Sequence, residues 1–308
     1  MLGTYDIDIV GGGPAGLAAA IYGRRAEKSV LVLEKNGFGG QKARAPMVDN
    51  FPGIPSVSGA ELADRMFSQA LDMGAEAELA EVTGLRREGA GYAVVTPDGD
   101  YAAKAVILAT GAQHRRLGVA REEELAGNGV CYCAVCDGAF YKGRPVAVAG
   151  GGDAALQDAL LLANGCSEVY IIHRRDEFRA EAANVHAALA RSNVKLRMTS
   201  RVVALEGEGQ LTGIVIESVD GGERETLRVD GLFVAVGYEP GNAPFAGMAK
   251  LDAAGWFAAG EDCGAGAPGL FAAGDCRAKT VRQLTTAVGD GAAAAVAALT
   301  PHSWDQDP

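Results

Sequence analysis

The fold is decided by residues 5–10, YDIDIV, and by the glycine-rich stretch GGGPAG at residues 11–16. The first stretch has the β-branched character of a short strand, and residues 17–22 continue with the apolar spacing of a helix. A second β-rich stretch occupies residues 30–33. This order predicts a βαβ unit whose helix N-terminus presents backbone N–H groups to a pyrophosphate. We call the glycine turn the first cradle, and its key residues are Gly11, Gly13, Pro14, Ala15 and Gly16.

The same plan occurs a second time along the chain. Residues 146–149 predict a strand, residues 153–163 a helix and residues 169–172 a further strand. Between the first strand and the helix, GGGDAA supplies G-x-G-x-x-A, the alanine-ending form of the nucleotide-binding pattern. We call this turn the second cradle, and its residues are Gly150, Gly151, Gly152, Asp153, Ala154 and Ala155.

The two cradles differ in the residues at the end of the second strand. Glu34 comes 23 residues after Gly11, and a carboxylate there can accept hydrogen bonds from ribose hydroxyls. At the same distance after Gly150 the chain carries a basic cluster, whose guanidinium groups pair with a 2′-phosphate that a carboxylate would repel. The second cradle is therefore predicted to bind NADPH, with a solvated basic run as the alternative. The basic cluster is His173, Arg174, Arg175 and Arg179.

Two different dinucleotide sites in one chain suggest hydride transfer from a nicotinamide to a flavin, so the first cradle is predicted to bind FAD. Two weaker marks support this prediction. Each comes directly after a predicted strand, where backbone or a carboxylate can reach the ribityl or pyrophosphate part of FAD. These marks are Ala109, Thr110 and Gly111, and Gly274 with Asp275.

A pair of cysteines precedes the second cradle. Cys133 and Cys136 form a C-x-x-C motif followed by Asp137, and two thiols at this spacing at a helix start can form a redox disulfide. The helix N-terminus favours the thiolate, and Asp137 is a candidate acid for a leaving thiolate. A zinc site with Cys131 as third sulfur and a pair of inert buried cysteines are the alternatives. Cys131, Cys166, Cys263 and Cys276 are predicted to be small core or surface residues, with Cys131 near enough to exchange with the pair.

Composition excludes several classes of function. The chain has 308 residues, enough for about two domains, and its net charge of −11 disfavours a nucleic-acid partner. No apolar stretch reaches the roughly 18 residues of a membrane span, and residues 1–10 lack the parts of a signal peptide. We therefore expect a cytoplasmic protein with no membrane partner, whose clustered cysteines serve redox chemistry or a metal.

The predicted elements indicate an α/β fold with two Rossmann-like dinucleotide-binding domains (three-layer ββα), the second inserted into the first. Turn-rich stretches at residues 111–116 and 237–241 are the candidate boundaries. They predict a discontinuous FAD-binding domain, 1–113 and 241–308, and an NADPH-binding domain, 114–240, that carries the C-x-x-C motif. Residues 59–73 and 287–299 are predicted helices, residues 92–96 and 101–108 a hairpin, and residues 194–197, 214–216 and 232–236 the completion of the second sheet.

Together these motifs closely resemble the low-molecular-weight thioredoxin reductases, FAD-containing and NADPH-dependent disulfide reductases, over almost the whole chain. By that resemblance Cys136 would lie against the flavin, Cys133 would attack the partner disulfide and Asp137 would supply the proton. The resemblance also implies a homodimer, and two domain arrangements because the nicotinamide and the cysteine pair need the same flavin neighbourhood. The further FAD contacts that it implies are Glu34, Lys35, Gly39, Gly40, Gln41, Asn50 and Val82, and Asp275, Arg282, Gln283 and Leu284.

One departure concerns the acceptor. Relatives that dock thioredoxin often carry a basic residue just before the cysteine pair, where this chain reads GNGV at residues 127–130. A thioredoxin-type protein is the expected partner. A flavin-dependent dithiol oxidase, a ferredoxin-linked or small-disulfide reductase of the same fold, and a non-catalytic zinc or nucleotide-sensing module are the alternatives.

Overall fold

The computed structural model describes residues 1–45 and 47–300, and the chain divides into two compact units. Unit 1 joins Met1–Gln113 to the chain from Pro240 onward, and unit 2 is His114–Glu239. Unit 2 is therefore inserted into unit 1 along the sequence, with both crossings within one residue of the boundaries expected from the turn-rich stretches.

The described residues form seventeen β-strands, some in parallel and some in antiparallel pairs. In chain order they are β1 (Gly3–Val10), β2 (Val30–Glu34), β3 (Glu76–Leu79), β4 (Gly84–Glu88), β5 (Gly91–Thr96), β6 (Gly99–Leu108), β7 (Ala112–His114), β8 (Val130–Cys131), β9 (Pro145–Ala149), β10 (Glu168–Ile172), β11 (Val194–Arg197), β12 (Ser200–Glu206), β13 (Gly213–Ser218), β14 (Arg224–Leu227), β15 (Gly231–Val234), β16 (Tyr238–Pro240) and β17 (Leu270–Ala272). The helices are α1 (Pro14–Arg25), α2 (Gly59–Asp72), α3 (Ala134–Asp137), α4 (Asp153–Ala163), α5 (Ala182–Leu189) and α6 (Leu284–Ala298).

Unit 1 is built on a parallel sheet of order β3-β2-β1-β6-β17. In its register Ile9 lies beside Val32 on one side and Ile107 on the other, and all three are buried. Strand β6 also pairs with β5, and β5 with β4, in an antiparallel meander. The predicted hairpin is thus confirmed, because residues 97–98 make the turn between β5 and β6.

The central sheet of unit 1 is covered on both faces. On one face α1 and α6 pack against Ile7 and Ile9, and on the other the meander and later loops pack against Leu31 and Leu33. The layers are therefore helix, parallel sheet and β-structure, the three-layer arrangement expected from the sequence. Helix α6 begins earlier than predicted, because Gln283 and Thr286 form a reciprocal cap that starts the helix at Leu284.

Every helix in the described part of the chain is too short or too polar to span a bilayer.

Unit 2 repeats the plan with a parallel sheet of order β11-β10-β9-β15-β8. Helices α4 and α5 accompany it, and α4 has the predicted bounds. The prediction that residues 214–216 join this sheet is wrong. They lie in β13, which pairs with β12 and β14 in a separate antiparallel sheet. Short hairpin connections pair sequential strands with each other, so these three do not insert into the parallel sheet.

Strand β1 buries a carboxyl group. Asp8 is fully buried, and neither of its carboxyl oxygens has a hydrogen-bond partner among the residues that the structure describes. Its register neighbours in the sheet are Leu31 and Val106, both apolar and buried. Burial disfavours the charged form, and it raises the pKa of Asp8 to about 8. The folded protein therefore holds Asp8 as a neutral acid at neutral pH.

This carboxyl makes stability depend on pH. The unfolded chain releases the Asp8 proton near pH 4 and the folded chain near pH 8, so the folded state is destabilised as pH rises through that window. The slope contributed is about 1.4 kcal/mol per pH unit. We expect Asp8→Asn to reduce the dependence of the free energy of unfolding on pH in this window, as measured by urea denaturation at a series of pH values. Asp64→Asn, at an exposed position of α2, is the control, and parallel curves for Asp8→Asn and wild type would contradict the expectation.

Candidate active site

The first cradle depends on backbone groups that approach more closely than a side chain would allow. Gly11 has φ +113°, and a Cβ there would lie 2.3 Å from the Ala109 carbonyl oxygen. A Cβ on Gly16 would lie 1.9 Å from the carbonyl oxygen of Gly11. Helix α1 begins with Pro14 and has no side-chain cap and no acidic residue in its first turn. Its N-terminal N–H groups therefore suit a diphosphate.

Glu34 is oriented by this cradle. Its Oε2 accepts a hydrogen bond of 2.8 Å from the Gly12 N–H, and its Oε1 accepts one of 2.9 Å from the Asn36 N–H. Each carboxylate oxygen retains a further lone pair. The carboxylate is thus held at the end of β2, where it can accept hydrogen bonds from ribose hydroxyls.

The structure brings distant parts of unit 1 to the same cradle. Gly39 donates its N–H to the Gly12 carbonyl oxygen at 2.8 Å, and a Cβ on Gly40 would lie 3.1 Å from Gly13 Cα. The residues Ala109, Thr110 and Gly111 come directly after β6, beside Gly11. A Cβ on Gly274 would lie 2.8 Å from Ala15 Cβ, which places Asp275 next to the start of α1.

The remaining FAD candidates of unit 1 differ in their surroundings. Gln41 donates a hydrogen bond to the Ala112 carbonyl. Arg282 donates a hydrogen bond of 3.1 Å to the Asp275 carbonyl, and its guanidinium lies 3.9 Å from the centroid of the Trp256 ring. Val82 and Leu284 are buried in hydrophobic clusters, so their side chains are used for packing. Lys35 and Asn50 are exposed and Gln283 caps α6.

Two residues that sequence reasoning missed support this cradle. Asn242 is fully buried; its Oδ1 accepts a hydrogen bond from Thr110 Oγ1 at 2.8 Å, and its Nδ2 donates to the Cys276 carbonyl at 2.9 Å. Asp290 binds Arg277 and Lys279, both at 2.8 Å, and accepts the Gly274 N–H at 3.0 Å. These contacts join segments far apart in sequence, and no local motif marks them.

The second cradle repeats the geometry in unit 2. Gly150 has φ +155°, and a Cβ there would lie 2.4 Å from the Ala235 carbonyl oxygen and 2.8 Å from Ala155 Cβ. Helix α4 begins after Gly152 without a side-chain cap. Asp153 lies in its first turn, and its Oδ1 accepts hydrogen bonds of 2.8 Å from the Glu181 N–H and the Asn184 side chain. That carboxylate therefore anchors the start of α5.

His173 forms a wall of the second cradle. A Cβ on Gly151 would lie 2.2 Å from His173 Nδ1, so the imidazole occupies the space that glycine leaves open. Its Nε2 lies 3.1 Å from the Glu177 carbonyl oxygen, and the ring stacks on Phe178 at 5.7 Å. Burial, together with the nearby arginine charges, lowers the pKa of His173. The positive charge at this site therefore belongs to the arginines.

Three arginines surround that histidine. Arg174, Arg175 and Arg179 make no ion pair with any other residue in the described ranges, and Arg174 and Arg175 are exposed. Arg179 donates its backbone N–H to the Gly151 carbonyl oxygen at 2.8 Å, which ties its position to the cradle. Unpaired guanidinium groups at the ribose end of a nucleotide cradle suit a phosphate monoester.

Cys133 and Cys136 form a disulfide, with their Cα atoms 5.3 Å apart. Cys133 is the N-cap of α3, and its Sγ accepts the Cys136 N–H at 3.2 Å. The expected dipole effect is small, because α3 has four residues; direct donation from one N–H is what favours a Cys133 thiolate. Val135 within the loop is 59% exposed, so the loop lies at the surface of unit 2.

The other cysteines are free and buried: Cys131, Cys166, Cys263 and Cys276. Burial raises the pKa of Cys276 to about 11, which makes its thiolate rare at neutral pH. No group of three or more His, Cys, Asp or Glu side chains suited to a metal occurs among the described residues. The sulfurs of the zinc alternative, Cys133 and Cys136, are bonded to each other instead.

These parts define an enzyme that moves electrons between dinucleotides and a disulfide. Comparison of the chain with known proteins gives the same class. The profile of the pyridine nucleotide-disulphide oxidoreductase family matches residues 5–291. The thioredoxin reductase of Listeria monocytogenes is 41% identical over 289 residues, covering 93% of this chain and 90% of that protein. That of Bacillus subtilis is 39% identical over 293 residues, covering 94% and 92%. The solved thioredoxin reductase of Streptococcus pyogenes gives a TM-score of 0.91 at 38% identity, covering 96% of this chain and 97% of that one.

The chain belongs to the pyridine nucleotide-disulphide oxidoreductase family. This confirms the predicted α/β fold with Rossmann-type domains and the predicted cofactors, FAD and NADPH. The activity is that of a flavin-dependent disulfide oxidoreductase.

The approach of α6 to α1 at the first cradle can be tested with two glycines of one helix. A Cβ on Gly291 would lie 2.1 Å from the Ala15 carbonyl oxygen, whereas one on Gly289 meets nothing within 4 Å. Gly291→Ala should lower the free energy of unfolding by about 1–3 kcal/mol and reduce FAD retention on gel filtration. Gly289→Ala should be neutral or stabilising by up to about 1 kcal/mol. Equal effects of both would show that the contact at Ala15 is not tight.

Proposed function

We propose that this protein is an NADPH-dependent thioredoxin reductase, in which Cys133 and Cys136 pass electrons to a thioredoxin-type protein disulfide. The observation that carries the proposal is the Cys133–Cys136 disulfide at the surface of the inserted unit, on the chain segment that leads into the second cradle. The Listeria and Bacillus relatives are both thioredoxin reductases and match nearly the whole chain.

Unit 1 would hold FAD and unit 2 NADPH. The first cradle would bind the FAD pyrophosphate at the start of α1, and Glu34 would accept hydrogen bonds from the adenosine ribose. The second cradle would bind the NADPH pyrophosphate, while Arg174, Arg175 and Arg179 pair with the 2′-phosphate. When bound, FAD supplies the two-electron relay between the nicotinamide and the disulfide.

The cysteine pair completes the reaction by thiol–disulfide exchange. In the reduced pair the Cys133 thiolate attacks one sulfur of the acceptor, the acceptor S–S bond breaks, and a mixed disulfide forms. The Cys136 thiolate then attacks Cys133 Sγ, which restores the Cys133–Cys136 disulfide and releases the second acceptor thiolate. The two protons that Cys133 and Cys136 give up on becoming thiolates reach the acceptor dithiol, and Asp137 would deliver one of them.

A ferredoxin-linked reductase or dithiol oxidase of the same fold is the alternative enzyme. Arg174, Arg175 and Arg179, which make no ion pair among the described residues, argue against it, because an enzyme that does not use NADPH has no need of guanidinium groups at the ribose end of the second cradle. The disulfide argues against the non-catalytic zinc module, because it joins two of the three sulfurs that such a site would need.

We also infer a homodimer in the cytoplasm. Four free buried cysteines suit a reducing compartment. Sedimentation should give twice the 31.6 kDa of one chain.

The arginine cluster sets the preference for NADPH. Replacing Arg174 and Arg175 by Ala should raise the KM for NADPH about 10-fold or more, because charge-assisted hydrogen bonds to the 2′-phosphate are lost. The KM for NADH should change less than about two-fold. Steady-state kinetics with both nucleotides measures this, and Arg191→Ala, an exposed arginine just after α5, is the matched control. Equal rises for both nucleotides would contradict the assignment.

Cys133 faces the acceptor in the proposed relay. In Cys133→Ser, thioredoxin reduction should fall to background, because the attacking sulfur is absent, while NADPH still bleaches the flavin absorbance. Stopped-flow absorbance and an insulin-coupled thioredoxin assay measure the two halves separately. Cys166→Ala, at a free cysteine of the same unit, should retain both. Persistent thioredoxin turnover in Cys133→Ser would exclude the proposed order of the two cysteines.

A further inference from the structure

A single carboxylate of α6 binds three groups of the turn that follows β17. Asp290 Oδ2 accepts the Gly274 N–H at 3.0 Å and the Lys279 ammonium at 2.8 Å. Its Oδ1 accepts the Arg277 guanidinium at 2.8 Å. All three donors lie within residues 274–279, so this short segment of unit 1 wraps around one side chain of a later helix.

The Gly274 N–H lies where two helices meet. Gly274 is buried and has φ +83°, and a Cβ there would lie 2.8 Å from Ala15 Cβ in α1 and 3.8 Å from Ala287 Cβ in α6. A buried N–H needs an acceptor. Asp290 comes three residues after Ala287, on the neighbouring part of the same helix surface, and supplies that acceptor. The position of the turn is therefore set by α6.

The same carboxylate is held by two cations. The side chain of Asp290 is only 16% exposed, and a buried charge is tolerated when it is paired and hydrogen-bonded. The side chains of Arg277 and Lys279 are 11% and 15% exposed and provide the pairing. Arg277 Nη2 also donates to the carbonyls of Ala259, at 3.2 Å, and Gly260. Both carboxylate oxygens are thus fixed in direction, and the Gly274 N–H is fixed with them.

Asp275, an FAD candidate, directly follows the glycine that is held in this way. Its own carbonyl accepts the Arg282 Nε–H at 3.1 Å. The backbone of Asp275 is therefore fastened on both sides, by Asp290 through Gly274 and by Arg282. Because Gly274 packs on Ala15, this places Asp275 at the start of α1, beside the first cradle.

We propose that Asp290 is a positioning residue for FAD, which holds Asp275 at the first cradle through the Gly274 N–H. The proposal rests on the assignment of the first cradle to FAD in the proposed function. Asp290 acts through the backbone that it fixes, and not by contact with the cofactor. Arg277 and Lys279 hold the carboxylate in place.

The affinity for FAD tests this role without any turnover. Asp290→Ala should raise the dissociation constant of FAD about 10-fold or more, because the charged acceptor of the Gly274 N–H is lost. Ultrafiltration of the diluted holoenzyme, with FAD determined in the filtrate, measures it. Asp6→Ala is the matched control, because Asp6 of β1 also accepts a backbone N–H, from Ser29 at 2.9 Å, and an ammonium, from Lys104 at 2.8 Å. It should change the constant less than about two-fold, and equal weakening by both variants would overturn the proposal.

Two milder variants separate the hydrogen bond from the charge. Asp290→Asn keeps the shape of the side chain but turns an amide N–H₂ toward donors, so it should weaken FAD binding about 3-fold or more even if Asp290→Ala does not fold. Lys279→Met removes one cation and leaves the bond to Gly274, so it should stay within about 2-fold of wild type. A loss in Lys279→Met as large as in Asp290→Ala would show that charge, and not position, is what matters.

A double-mutant cycle distinguishes positioning from a general loss of stability. Asp290→Ala should weaken FAD binding less than about 3-fold in an Asp275→Ala background, because the positioned side chain is already absent. A 10-fold loss in both backgrounds would contradict the role. A wild-type chain that does not bind FAD would overturn the proposed function together with this inference. Binding of FAD that Asp290→Ala leaves intact would overturn this inference alone.

Discussion

The whole molecule depends on one steric constraint, the close approach of the glycine turn before a helix to that helix and to the end of the neighbouring strand. In unit 1 a Cβ on Gly16 would lie 1.9 Å from the Gly11 carbonyl oxygen, and a Cβ on Gly11 would lie 2.3 Å from Ala109. In unit 2 a Cβ on Gly150 would meet Ala235 at 2.4 Å. Only residues without side chains permit this approach, and it leaves the helix N–H groups bare at a sheet edge. Both nucleotide sites depend on it.

Two copies of one scaffold have second strands that end differently, and this difference underlies the proposed choice of nucleotide at each cradle. Glu34 uses one lone pair of each oxygen on backbone N–H groups of unit 1 and keeps the others for ribose hydroxyls. At the same place in unit 2 a neutral, buried His173 packs against Gly151 and leaves the charge to the neighbouring arginines. The disulfide lies in the second unit, so that unit carries both a nucleotide cradle and the group proposed to react with the acceptor.

Sequence patterns predicted the features that are local in the chain. The glycine turns, the 23-residue spacing to Glu34 and His173, the C-x-x-C motif and the bounds of α4 all depend on residues within one short segment. The separate sheet of β12, β13 and β14 was missed. Short β-rich stretches have the same residue pattern whether they pair with each other or join a larger sheet, so the pattern does not distinguish the two arrangements. The four-residue length of α3 was missed as well, since a helix start carries no mark of where the helix ends.

By itself the sequence determined the two nucleotide cradles, their difference in charge and the redox pair, because each depends on backbone geometry and side chains within one short segment. Only the tertiary structure decided that Asn242 bonds Thr110, that Asp290 holds Arg277 and Lys279, and that the Cys131 sulfur lies against the Tyr141 hydroxyl. It also decided that Asp8 is buried, with no hydrogen-bond partner in the described part of the chain. The physical reason is that a side chain's environment is set by whichever strands and helices the folded chain packs around it, and residue spacing along the chain does not encode those neighbours.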